Sequence, residues 1–497
     1  MFIQPENENL GVECLCASLK KNKYEVDLLF LPEQYHSMAF HIFSNGYSDT
    51  KDQIRAKIES YKPDIVCFSP FSSQYVWATE QAKMIKSKFK NMFIMFGGVH
   101  VNSVPNIVIK NKYVDAMIVG EADYQIIEFA KNFYKPSLVK VESLWIKKNG
   151  KTYINKLAKL ESNLDKLPMP DKEIFYKQMP HQVHEEGYMI MGSRGCPFQC
   201  AYCSNNVYQK LYAGQKRLRF RSPENIIEEL KYAKKHYKPK MVDFFDDVLT
   251  INEPRLRDLM KLYRRHIDIP FTCYLHPQLV TDKIIKLLAQ SNCCWLKLGV
   301  QSANENYRKT CLNRYETNAD IKKVAQLCHK YHLAFSFDHI FNLPGETEAD
   351  LVEAVKLYSA CHPTIINFGS LIYLPGTDIV RLGVKHKILT LKDVDKINHG
   401  INLVYGLANI DLISYQYKNN HVGNISVFGL LFMMITTLPT FVVNYLLKIK
   451  IYKMKRKVPQ FVLVMFKVLT KIRAKQLYIY RYVFKTIFYY TFFKPKN

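Results

Sequence analysis

The chain of 497 residues carries 70 Lys and Arg against 44 Asp and Glu, a net charge of +26, and is 48% apolar. That length exceeds one ordinary core, so two or three domains are expected, and the apolar fraction excludes a disordered or low-complexity protein. Twelve cysteines in a chain this long exclude a disulfide framework. Met1 leads straight into "FIQPENENLG", with no basic n-region and no apolar h-region, so the expected compartment is the cytoplasm, where clustered thiols are metal or redox ligands.

In chain order, "LGVECLCASLKKNKYEVDLLFL" reads as helix then strand. "KPDIVCFSP", "MFIMFGG" and "VDAMIVGE" are three further β-rich runs, separated by helical windows such as "YVWATEQAKMIKSKF". This alternation predicts a doubly wound parallel sheet over residues 1–136, with ligands at the carboxyl ends of its strands, where "FSPFSS" and "FGGVH" fall. "MFIQP" is expected to be only the end of a strand. Residues 137–187 form a connector: a hairpin turning at Asn149-Gly150, then the proline-punctuated "LDKLPMPDKEIF".

From Tyr188 to about residue 385 the alternation resumes with "YMIMG", "MVDFFDD", "FTCYLH", "WLKLGVQS", "AFSFDHIFNLPGE" and "TIINFGSLIYLPGT". Six strand–helix units make a partial barrel, two units short of a full eight-fold one. Polar residues end nearly every strand: Asp246, Asp247, His276, Gln301, Ser302, Asn342 and Glu346. Residues 386–497 are read as a basic, apolar helical region. After Asp411 there is no acidic residue, while the last eighty residues hold twelve Lys and three Arg. Within them "ISVFGLLFMMITTLPTFVVNYLL" (425–447) runs without a charge, long enough for a helix spanning ~30 Å of hydrocarbon. "VPQFVLVMFKVLTKIRAK" and "QLYIYRYVFKTIFYYTFF" mix basic and aromatic residues as interfacial helices do. A monotopic anchor on the cytoplasmic face of the membrane is the expectation, with a helical cap on the barrel as its alternative.

"GSRGCPFQCAYCSNN" places Cys196, Cys200 and Cys203 within eight positions, directly after the first barrel strand. A structural zinc site wants four ligands, and no second knuckle is present; three thiolates suit a cubane cluster in which one iron lacks a protein ligand. The spacing Cys196-x3-Cys200-x2-Cys203, with Tyr202 before the last thiol, resembles the signature of the radical S-adenosylmethionine (radical SAM) superfamily. The resemblance implies a [4Fe-4S] cluster whose open iron chelates S-adenosylmethionine, reductive cleavage to a 5′-deoxyadenosyl radical, and hydrogen abstraction from substrate. It further implies that Asp246 and Asp247 meet the methionine ammonium, Gln301 and Ser302 the ribose, and Asn342 and Glu346 of "FNLPGE" the adenine side. A flavodoxin- or ferredoxin-type electron donor is expected with it.

The front sheet resembles the cobalamin-binding domain of one subclass of these enzymes. Ser69 after one strand and Gly97-Gly98 after the next match its serine and double-glycine positions, where small residues let backbone approach a flat macrocycle. "QPENENLG" has no cobalt-binding histidine. Together these imply an oxygen-sensitive, cobalamin-dependent radical enzyme that methylates an unactivated carbon, on an apolar or lipid-like substrate if the tail meets a membrane. Oxidative cyclisation, as in the anaerobic magnesium-protoporphyrin ester cyclases, is the alternative within enzymes; a non-catalytic cobalamin- or redox-sensing membrane protein is the alternative outside them. Nucleic acid is not the expected partner, because a nucleic-acid arm would not need so apolar a tail.

Overall fold

A computed structural model describes residues 1–31, 50–179, 183, 187–401, 425–454 and 458–474. The front sheet has seven strands in the order β2-β1-β3-β4-β5-β6-β7. These are β1 (Phe2–Pro5), β2 (Leu28–Leu31), β3 (Ile65–Phe68), β4 (Phe93–Phe96), β5 (Ala116–Ile118), β6 (Leu144–Lys148) and β7 (Lys151–Ile154). β1 to β5 pair in parallel, whereas β6 and β7 add an antiparallel edge. Strands such as "IVCF" and "FIMF" are apolar on both faces because helices cover both sides of the sheet.

Two details differ from expectation or sharpen it. The "MFIQP" run is an interior strand, pairing in register with β2 over all four residues and with β3, and the Met1 amino group donates to Ile65 O at 2.9 Å. The β6–β7 hairpin turns where predicted, with φ +53° at Asn149 and +72° at Gly150, the double left-handed turn that matches strand twist.

The second sheet runs β15-β14-β13-β12-β11-β8, parallel throughout, and between β8 and β11 the chain forms a two-stranded antiparallel ribbon, β9 (Ser193–Arg194) with β10 (Arg219–Phe220). The strands of the sheet are β8 (Tyr188–Ile190), β11 (Val242–Phe244), β12 (Phe271–Leu275), β13 (Cys293–Gln301), β14 (Ala334–Phe341) and β15 (Ile365–Ser370). All six predicted strands are present in simple sequential order. Between them, helix starts are fixed by side-chain caps: Ser222 ahead of Pro223, and capping boxes at Thr317 and Thr347.

The charge-free run 425–447 does not form one helix. It breaks into Ile425–Ile435 and Thr440–Lys448. Pro439 caps the second, and both Thr436 and Thr437 bond back to Met433 O, closing the first. Eleven residues reach only ~16 Å, half a hydrocarbon core. No helix among the described residues is long and apolar enough to cross a membrane. Helix Ile425–Ile435 instead packs on the second sheet and its helices, where Phe432 lies against His339, Phe341, Tyr358 and Phe368. "QLYIYRYVFKTIFYYTFF" lies outside the described residues.

Candidate cofactor site

The carboxyl ends of β3 and β4 form a cradle. Gly98 has φ +85°, and a Cβ there would stand 2.8 Å from Ser69 Oγ and 3.2 Å from Ser69 C, so only glycine fits. Gly97 is different: its backbone is extended (φ −148°) and a Cβ would meet nothing within 4 Å. Beneath them His100 is buried, its Nδ1 3.0 Å from Ser72 Oγ and its ring stacked on Tyr75 at 4.0 Å. Burial lowers the imidazole to about 3, so it stays neutral.

A cavity of about 600 Å³ opens over this cradle, between the two sheets. Ser69, Gly97 and Gly98 line one side; Ser193, Arg194, Asn205 and Asp247 line the other. No histidine is among its described lining residues. The walls are held together by charge. Arg194 of β9 donates to Asp123 at 2.7 and 2.9 Å and to Glu121 at 2.9 Å, and Arg219 of β10 pairs with Glu121. Below, Lys172 of the linker is buried between Glu8 (2.7 Å) and Glu13 (2.8 Å).

The thiol loop begins at the cavity rim with Gly195. Gln209 clamps it by donating to Cys196 O and Phe198 O at 2.9 and 2.7 Å, and Ala201 N donates to Leu312 O. Cys203 caps the helix Ser204–Leu211, and Phe198 stacks on His276 with ring centroids 3.7 Å apart. All three thiols are free. Among the described residues no three His, Cys, Asp or Glu side chains converge as on a single ion. A cubane takes each thiolate on a different iron, so its sulfurs stand farther apart than the ligands of one ion. Soft donors on a tight, braced loop fit such a cluster. Burial pushes Cys196 up to about 12 and raises Cys203 as well, so an incoming cluster must displace their protons.

The strand-end residues divide into distinct roles. Asp246 is buried and fully engaged, accepting from Gly192 N (2.9 Å) and Ser193 Oγ (2.5 Å), which ties the start of the thiol segment to β11. Asp247 faces the cavity, bonded by Asn205 Nδ2 at 2.9 Å, and desolvation raises its carboxyl. Gln301 and Asn342 both carry left-handed backbone, φ +67° and +61°, at the ends of β13 and β14. Strain of this kind gathers at ligand sites. Ser302 O accepts from Arg308 Nη1 at 2.6 Å, Asn342 Nδ2 donates to Ser370 Oγ at 3.1 Å, and burial raises Glu346 to about 8. Tyr202 receives a bond from Arg314 Nη1 at 3.1 Å.

Sequence reasoning missed Arg314. Its guanidinium reaches Cys200 Sγ at 3.7 Å, Gly299 O at 2.7 Å and Glu316 at 2.6 Å, joining the thiol loop to β13. Nothing in "LNRYE" marks it as part of the thiol site, since Cys200 and Tyr202 lie over a hundred positions away. Also missed was the pair of Lys297 on β13 with Asp243 on β11, 2.8 Å apart, the ammonium lying 4.7 Å from the centre of the Tyr274 ring. His276, at a strand end, is buried beside Phe198 and lowered to about 3, a neutral packing group. Arg219 pairs with Glu121 and Arg221 with Glu229, and Arg221 also lines the cavity.

Comparison with known proteins agrees with this geometry. The B12 binding domain profile matches residues 3–130, and the Radical SAM superfamily profile matches residues 190–358. The chain is 26% identical to the uncharacterized methyltransferase PH0819 of Pyrococcus horikoshii, covering 70% of this chain and 78% of that protein. It is 20% identical to the anaerobic magnesium-protoporphyrin IX monomethyl ester cyclase of Rubrivivax gelatinosus, over 75% of this chain and 72% of the cyclase. The solved structure of the cobalamin-dependent S-adenosylmethionine radical enzyme OxsB with aqua-cobalamin superposes with a TM-score of 0.63 at 15% identity, covering 96% of this chain and 80% of that one. The chain carries a B12-binding domain over residues 3–130 followed by a radical SAM domain over residues 190–358, the domain pair of a radical SAM enzyme.

Proposed function

We propose that this enzyme transfers a methyl group to an unactivated carbon of an apolar, lipid-like substrate. The observation that carries the reading is the single cavity with Ser69, Gly97 and Gly98 on one wall and the start of the thiol segment, Ser193 to Gly195, on the other. A methyl donor in the cradle and a hydrogen-abstracting centre at the thiol loop would face one substrate space. The methyltransferase PH0819, similar over most of both chains, supports the same reaction class.

Cys196, Cys200 and Cys203 would hold the cluster, and Ser69, Gly97 and Gly98 would line the corrin. When bound, the cluster with S-adenosylmethionine supplies hydrogen-atom abstraction and the corrin supplies the methyl group. This chain's own residues bind, orient and exclude water. Asp247, Gln301, Ser302, Asn342 and Glu346 would receive the polar groups of S-adenosylmethionine beside Tyr202. Phe198 on His276 closes the floor of the thiol loop against water. Arg314 holds a positive charge beside Cys200, compensating thiolate charge in a desolvated place. The Lys297–Asp243 pair keeps a fixed dipole linking β13 to β11. The reading includes a flavodoxin- or ferredoxin-type donor for the electrons.

Similarity to the Rubrivivax gelatinosus cyclase favours oxidative ring formation as a second reading. Product mass separates the two: anaerobic turnover of a candidate lipid with S-adenosylmethionine and reductant should add one CH2 unit and form 5′-deoxyadenosine. Loss of hydrogen or gain of oxygen would favour cyclisation, and absence of 5′-deoxyadenosine with a loaded cluster would refute turnover of either kind.

A further inference from the structure

The last described helices are amphipathic in the wrong sense for a globular protein. Helix Gln460–Arg473 turns Leu463 and Thr470 inward, where Thr470 Oγ1 lies 3.3 Å from Thr436 Oγ1 and Arg473 donates to Thr436 O. Its outward face, at i, i+3, i+4, i+8 and i+11, is Phe461, Val464, Met465, Leu469 and Ile472. Phe461 is 74% exposed and the other four 43–50%. Helix Thr440–Lys448 repeats the pattern: Val443 is buried, while Phe441 and Tyr445 are 72% and 62% exposed. Of nineteen exposed large apolar side chains among the described residues, nine fall between residues 441 and 472, so this is one patch and not ordinary scatter.

What covers the patch is constrained by charge. The chain beyond Asp411 has fifteen basic residues and no acidic one. Lys448, Lys450 and Arg473 stand exposed beside the apolar face, and Lys453 is paired with Glu348. A second copy would bring the same positive charge onto the face. Residues 475–497 of this chain, with Lys475, Arg481, Lys485, Lys494 and Lys496 and no acid, would do the same. An anionic bilayer complements both features, taking apolar side chains below its headgroups and basic ones among them.

We propose that the face formed by Phe441, Tyr445, Phe461, Met465, Leu469 and Ile472 docks in the interfacial plane of an anionic phospholipid membrane without crossing it. The helix Ile425–Ile435 carries this platform on β14 and β15 through Phe432 and Gly429, the latter against Phe368. Docking therefore holds β15, the edge strand of the six-stranded sheet, toward the bilayer. The docking surface stands whether or not the methyl-transfer reading does, because its test reads membrane binding and not turnover.

The test is flotation of the full chain with phosphatidylcholine vesicles, with and without phosphatidylglycerol, at low and high salt. Expected is binding to the phosphatidylglycerol vesicles, weakened by salt, and reduced about ten-fold or more by Phe461→Asp and again by Leu469→Asp. Phe461→Leu should bind as the parent, and unchanged iron and cobalamin content in the Asp variants would show an intact fold. Three results overturn the proposal: no flotation on either vesicle; flotation that the Asp substitutions leave unchanged; or a dimer, broken by the same substitutions, with no vesicle binding.

Discussion

Gly97 and Gly98 are adjacent, line the same cavity, and should respond oppositely to substitution. At Gly98 an alanine must adopt φ +85°, which costs an L-residue roughly 1–2 kcal/mol. Its Cβ would also press 3.2 Å from the Ser69 backbone carbon, a contact that the loop after β3 relieves only by moving. A total of about 2 kcal/mol, if expressed in the binding geometry of that loop, is roughly a thirty-fold loss of cobalamin affinity. At Gly97 an alanine keeps extended backbone and meets nothing within 4 Å, so stability should stay within about 0.5 kcal/mol. Gly97→Leu keeps that backbone but puts an isobutyl group into the cavity and should lose at least about ten-fold in cobalamin affinity, the equivalent of roughly 1.4 kcal/mol. Titration with hydroxocobalamin, followed by absorbance, reads affinity; thermal melting and iron content read the fold and the barrel. A Gly97→Leu protein that melts as the parent and still binds cobalamin with parental affinity would refute the cradle.

Three other outcomes follow from named contacts. Arg314→Gln removes a positive charge beside Cys200 and should make the cluster harder to reduce, by on the order of tens of millivolts in an EPR redox titration; an unchanged midpoint would mean that Arg314 only packs. Lys172→Met leaves Glu8 and Glu13 buried without their cation and should cost about 3–5 kcal/mol, seen as early melting and proteolysis at the linker. His100, His276 and His339 are each lowered by burial from 6.5 to about 3. The unfolded chain therefore binds protons in this range that the folded chain does not, and stability falls as pH drops below 6.5. At pH 5 each should cost about 2 kcal/mol. Melting at pH 7.5 and 5 should show a loss that shrinks in His339→Leu; an equal loss in that variant would contradict its buried, neutral state.

Much of the architecture was legible because it is written in local pattern. Continuous apolar runs such as "IVCF" and "FIMF" mark strands buried on both faces, and their alternation with helical windows leaves a parallel α/β order as the simple solution. The Asn149-Gly150 turn and the three-thiol loop are short-range signals, complete within a few residues. The double glycine was legible as a pair, but only the fold shows that Gly98 is required by its φ and Gly97 by the space above it.

What the sequence could not carry depends on residues brought together from far apart. Asp246 and Asp247 look equivalent in "FFDD"; in the loop that follows β11 one is spent on Gly192 and Ser193 while the other faces the cavity. Arg314 approaches Cys200 only through the return of the chain after β13. The 23-residue apolar run reads as a span by length alone, yet Pro439 and the Thr436–Thr437 back-bonds divide it. Sequence by itself determined the order of the domains and the chemistry of the thiol loop, since both rest on local spacing. Tertiary structure alone decided which polar residues meet in the cavity and which apolar faces stay uncovered, since burial belongs to the packed chain and not to any segment of it.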